Sequence, residues 1–128
     1  MPCGFRAFPL LASESARARQ RDALHAKDGG DVMIRHVVLF KHKAGVTEDE
    51  RNRWMETMRG LAREIPVIRS LAIGPDLTRS QRSYDVGLVV DVESLDDLRA
   101  YQLHPAHVAA AAVSRALAEH SVSVDFEL

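Results

Sequence analysis

The chain has 128 residues, 46% of them hydrophobic and 27% charged, with a formal net charge of −1; this is the balance of one globular domain with a real core. That charge and a sequence pI of about 6.6 argue against a general nucleic-acid binder, which is expected to be clearly basic, and against attraction to anionic membranes. The apolar runs are of strand length, or are the alanine-rich Val108–Val113, and none approaches a membrane span.

Residues 1–32 read differently from the rest. Arg6, Arg17, Arg19 and Arg21 stand among few bulky apolar residues, Ala16, Ala23 and Leu24 make only a weak stripe, and Asp28-Gly29-Gly30-Asp31 breaks the chain. The single cysteine, Cys3, forms no internal disulfide, and the short patch Ala7–Ala12 is below the length of a signal-peptide core. Residues 1–32 are therefore expected to be a poorly packed extension, with a targeting or partner arm as the alternative, and the protein to be cytoplasmic. Met33 opens the first strong pattern and is itself a possible start codon.

Residues 33–128 then predict six elements. Met33–Lys43 alternates as a strand, with Ile34, His36, Val38 and Phe40 on one face and Val37 and Leu39 on the other, so it is expected to be central and covered on both sides. Thr47 and Glu50 form a capping box for a helix over Thr47–Ile65, whose stripe is Trp54, Met58, Leu61 and Ile65 and whose end is Pro66. Val67–Ile73 predicts a strand stopped by Gly74-Pro75. A polar loop over Asp76–Ser83 leads to a strand at Tyr84–Val92, in which Gly87 suggests a bulge or a close backbone approach. Ser94 and Asp97 start a helix that His104-Pro105 interrupts, with a second segment over Pro105–Glu119. Ser121–Leu128 alternates as the last strand.

The order βαββαβ is the ferredoxin-like arrangement, an α+β fold with a four-stranded antiparallel sheet and helices on one face. Val37, Leu39 and Val89 then fall on the bare face, or inside with His36 turned out. One helical layer covers only one of two apolar faces, so a homodimer pairing sheet against sheet is expected.

The chemistry-bearing residues gather in Tyr101-Gln102-Leu103-His104-Pro105-Ala106-His107. Pro105 pushes His104 out of helical geometry, so the chain bends there. A bend presenting a phenol and an imidazole to one cavity suits acid–base work: the imidazole takes a proton near neutral pH, and the hydroxyl stabilises an enolate. The structural alternative has Tyr101 capping the core with its hydroxyl in water, His104 capping the following helix, and His36 as a satisfied core histidine. His42 is expected to be solvated at its strand end. Trp54 and Met58 read as core that can also line an apolar ligand pocket. No metal site at a recognised spacing, phosphate loop or nucleophile elbow is found.

These residues resemble the stress-responsive dimeric α/β-barrel (Dabb) domain family. The resemblance runs from Met33 to Leu128 and rests on Ile34-Arg35-His36-Val37-Val38-Leu39-Phe40-Lys41, on Val92-Glu93-Ser94, and on Tyr101 through Val108 with His104-Pro105-Ala106-His107. It implies a ferredoxin-like fold paired into a barrel-like dimer. A plant branch that it resembles cyclises linear polyketides by aldol chemistry without a cofactor, through a tyrosine and a histidine matching Tyr101 and His107, with a strand histidine matching His36. That branch also carries a histidine in the third strand, near the position of Val86 here.

The leading expectation is a cofactor-independent enzyme acting on a small carbonyl or polyketide-like compound. His107 is the general base, Tyr101 the hydrogen-bond donor and His36 the orienting or secondary polar group, with Phe40, Trp54, Met58 and His104 as pocket residues and no cofactor or metal. Two alternatives stay open: a non-catalytic, stress-responsive dimeric ligand-binding domain, and a cofactor-free monooxygenase on the same scaffold.

Overall fold

Strand-period alternation and helical spacing become seven elements in the computed structural model, which describes residues 32–128. The expected N-terminal extension lies outside the described residues, apart from Val32. The elements are β1 (Ile34–His42), α1 (Glu48–Glu64), β2 (Ser70–Pro75), β3 (Val86–Val92), α2 (Leu95–Leu103), α3 (Pro105–Leu117) and β4 (Ala118–Glu127). The sheet is antiparallel in the order β2-β3-β1-β4. This is the ferredoxin-like fold, and β1 is an inner strand, as its two apolar faces require.

The helix starts follow from local chemistry. Thr47 accepts from the Glu50 backbone N–H at 3.1 Å while the Glu50 carboxylate accepts from the Thr47 N–H at 2.9 Å. Glu48, Asp49 and Glu50 add negative charge at the positive end of the helix dipole. The stripe of α1 buries Trp54, Met55, Met58 and Leu61 against the sheet. Ser94 caps α2 through the Asp97 N–H at 3.0 Å.

Several boundaries differ from the expectations. The second strand starts at Ser70, not Val67, because the Ile68 N–H bonds back to the Ile65 carbonyl at 3.2 Å and keeps Val67 and Ile68 in the turn that closes α1. It runs through Gly74 to Pro75, which an edge strand tolerates. The third strand starts at Val86, because Tyr84 turns aside to bond its hydroxyl to His120 Nε2 at 2.7 Å. The last helix ends at Leu117 rather than Glu119, and β4 begins at once at Ala118, whose backbone is already extended. The ladders pass through Gly87 without a slip; the irregularity falls instead between Lys41 and His42 against β4.

Register assigns the faces. Ile34, His36, Val38 and Phe40 share the helix-covered face with Val92, Val90, Leu88 and Val86 of β3 and with Glu127, Asp125, Ser123 and Ser121 of β4. The outer face carries Val37, Leu39, Val89, Val122, Val124 and Phe126. At one end of this face Arg35 reaches Asp91 with two hydrogen bonds of 2.9 Å, and Ser70 adds a third at 3.0 Å. The guanidinium holds the Asp91 carboxyl below the usual carboxylate range. Among the described residues, no helix is long and apolar enough to cross a membrane.

Candidate active site

The break at His104-Pro105 sets the geometry. His104 is extended (φ −62°, ψ 136°) and serves both as the C-cap of α2 and the N-cap of α3, its Nδ1 accepting from the Ala106 N–H at 3.0 Å. The imidazole is spent on that cap and does not line the cavity below, which corrects its place among the pocket residues. Tyr101 ends α2 pointing into the core, and His107 starts α3 beside it, their ring centroids 4.5 Å apart and their planes tilted by 57°. His36 approaches Tyr101 from β1 edge-on at 5.9 Å.

The three rings line one cavity of about 280 Å³ between the sheet and the helices, with Val38, Phe40, Met58 and Leu88 as its apolar walls. Phe40 and Met58, expected as pocket residues, both lie on this wall. Trp54 stands one layer back, edge-on to Phe40 at 4.9 Å, with its indole N–H donating to Ser114 Oγ at 2.8 Å. An indole N–H buried in the core needs that partner, so Trp54 supports the cavity wall without lining it.

Protonation states follow from the partners. The Gln102 carbonyl only accepts, so the His107 contact at 3.0 Å puts the proton on Nδ1 and the lone pair on Nε2. Burial pushes the His107 pKa down; the Gln102 bond opposes this, and the nearby His36 and Arg115 add to it. His107 is thus neutral at physiological pH, with a basic nitrogen. Tyr101 is fully buried and, among the described residues, its hydroxyl has no hydrogen-bond partner. Desolvation pushes its pKa up to about 12, so it remains a donor. A buried hydroxyl with no partner costs about 1–3 kcal/mol, a cost that a ligand oxygen would remove.

Two residues behave differently from their sequence reading. Asp125, read as one polar position of an alternating strand, stands opposite His36 and accepts from its Nδ1–H at 2.5 Å. The signal available beforehand was the run of Ser121, Ser123 and Asp125 on one face of β4, but alternation alone does not say which face is covered. His42, expected to be solvated, is 5% exposed. It packs edge-on against Trp54 at 5.1 Å and accepts from Arg51 Nε at 3.2 Å. The turn into α1 folds over the end of β1 and buries it. Among the described residues, no group of three or more His, Cys, Asp or Glu side chains is gathered to hold a metal ion.

Comparison with known proteins gives this arrangement its family. The model of the stress responsive A/B barrel domain, Dabb, matches residues 34–128, and the chain belongs to that family. A dimeric ferredoxin-like protein of unknown function from Thermobifida fusca superposes with a TM-score of 0.71 at 35% identity, over 77% of this chain and 92% of that one. An uncharacterised protein of Streptomyces coelicolor is 34% identical over 97 residues, 74% of this chain and 99% of its own. Olivetolic acid cyclase of Cannabis sativa is 27% identical over 95 residues, 73% of this chain and 94% of its own.

Proposed function

We propose that this domain is a cofactor-independent enzyme that removes a proton α to a carbonyl of a small, largely apolar compound, of the kind met in polyketide-like chemistry. The observation that carries this reading is the fully buried Tyr101 hydroxyl, without a partner among the described residues, beside the neutral His107 in one apolar-walled cavity. Nε2 of His107 takes the α-proton. The C–H electron pair forms a C=C bond, the C=O π pair moves onto the oxygen, and the resulting enolate accepts a hydrogen bond from Tyr101. The enolate carbon then attacks a second carbonyl, forming a C–C bond, and the new alkoxide recovers the proton from His107. His36, held by Asp125 with its Nε2 left as an acceptor, orients a hydroxyl of the substrate from the opposite wall. The similarity to a cyclase supports the reaction class.

The dimeric state of several relatives supports a homodimer. In this reading two outer faces pair around Leu39, Val122 and Val124, apolar side chains that are substantially exposed in one chain.

The test is exchange of solvent deuterium into the methyl group of acetophenone, followed by proton NMR. The expected result is acceleration over buffer that His107→Ala reduces by roughly 10²–10⁴-fold. Ligand binding without any acceleration would favour the ligand-binding-domain reading instead.

A further inference from the structure

His107, Ala111 and Arg115 stand four residues apart on α3, so they form one row along the helix, and all three line the cavity. Arg115 is close enough to His107 to hold its pKa down. Among the described residues, its guanidinium makes no hydrogen bond or ion pair. No lining residue of this cavity is a carboxylate; Asp125 is engaged by His36. Glu119 borders an adjoining hollow of about 280 Å³, which shares Phe40, Ser114, Arg115 and Ser121 with the first. The result is a largely apolar-walled chamber with Tyr101 and His107 at one end and, at the other, a cation that makes no ion pair among the described residues.

We propose that the ligand of this cavity carries a carboxylate, held by Arg115, on an apolar body whose carbonyl end meets Tyr101 and His107. The placement of the carbonyl end rests on the acid–base reading above; the carboxylate anchor does not. A guanidinium presents a planar fork that matches a carboxylate through two parallel hydrogen bonds. Arg115 is itself exposed, at the rim of the cavity, so the match of its fork to a carboxylate, rather than a low dielectric, carries the discrimination. Eight residues of helix separate the Cα atoms of His107 and Arg115 by about 12 Å. Helical side chains lean toward the N-terminus, which brings the guanidinium back toward His107. Ala111 between them contributes only a methyl group and leaves room for the body of the ligand. A chamber of about 280 Å³ lies near the small end of ligand pockets, a size for a single-ring compound.

The probes are 4-acetylbenzoate and its methyl ester, which share a ring and a ketone and differ in charge. Binding to the full chain is measured by calorimetry at about pH 8, where the acid probe is a carboxylate. The acid is expected to bind at least about tenfold more tightly than the ester, as a charge-assisted pair should give. Arg115→Met should bring the two within about twofold with ester binding unchanged, and Arg115→Lys, a point charge without the fork, should fall between. Equal binding of acid and ester by the wild type, no binding of the acid at millimolar concentration, or a preference that survives Arg115→Met would each overturn the proposal. The acid–base reading fails separately: its sign is a deuterium-exchange rate in bound 4-acetylbenzoate that His107→Ala leaves unchanged.

Discussion

His36 and Asp125, 89 positions apart in the chain, meet at 2.5 Å across the β1–β4 ladder, the carboxylate accepting from Nδ1. The bond holds the ring in the Nδ1–H tautomer and leaves Nε2 as its acceptor. Asp125→Ala should release that tautomer preference, read from the ¹⁵N shifts of the His36 ring. It should also cost about 1 kcal/mol of stability in urea, the value of a charge-assisted bond discounted for its solvent-facing carboxylate. Unchanged ring shifts would show that the pair does not form in solution.

In the proposed reaction Tyr101 should separate binding from turnover. Tyr101→Phe removes one oxygen from a hydroxyl that has no protein partner among the described residues, so the fold should stay at least as stable as the wild type. Turnover should fall by roughly 10²-fold, more than ligand affinity, because an enolate needs the donor more than a ground-state carbonyl does. Equal losses in affinity and rate would make Tyr101 a simple binding contact.

The pH profile should have a single acid limb. Burial first, with His36 and Arg115 adding to it, holds His107 below its ordinary value of 6.5. The proposed reaction needs the neutral imidazole, so the rate should be flat through neutrality and fall as pH drops through that lowered pKa. On the alkaline side Tyr101, at about 12, keeps its proton. A rate that rises on acidification would assign His107 the opposite role.

His42 should couple stability to pH. Burial first, then Arg51, lowers its folded pKa below 6.5, with Asp85 opposing. The unfolded chain therefore takes up a proton more readily, and the His42 contribution is complete above 6.5 and is lost as pH falls through the lowered folded value. His42→Phe keeps a ring against Trp54 and should flatten that acid loss in urea unfolding followed by the fluorescence of Trp54, the only tryptophan. The same slope in both proteins would place the titration elsewhere.

Pairing through the outer sheet face has its own test. Val124 is 56% exposed in one chain, so Val124→Asp leaves the monomer core untouched. Sedimentation equilibrium at micromolar concentration should show a shift from dimer to monomer, since a carboxylate facing its symmetry mate in an apolar interface is strongly unfavourable. A dimer of undiminished stability would mean that another surface pairs.

Much of the framework was legible in the sequence because it rests on local rules. The Thr47–Glu50 capping box, the Trp54-Met58-Leu61-Ile65 stripe, the double-faced β1 and the break at His104-Pro105 each depend on residues within a few positions of one another. Alternation in a strand states which residues share a face. It does not state which face the helices cover or which strand lies alongside. Those are decided by long-range pairing, and they turned Ser121, Ser123 and Asp125 inward, set Asp125 against His36, and left Val122, Val124 and Phe126 outside. The tertiary structure likewise buried His42, spent His104 on a helix cap, and put Trp54 behind Phe40, because each of those side chains is claimed by a partner that the local sequence does not name.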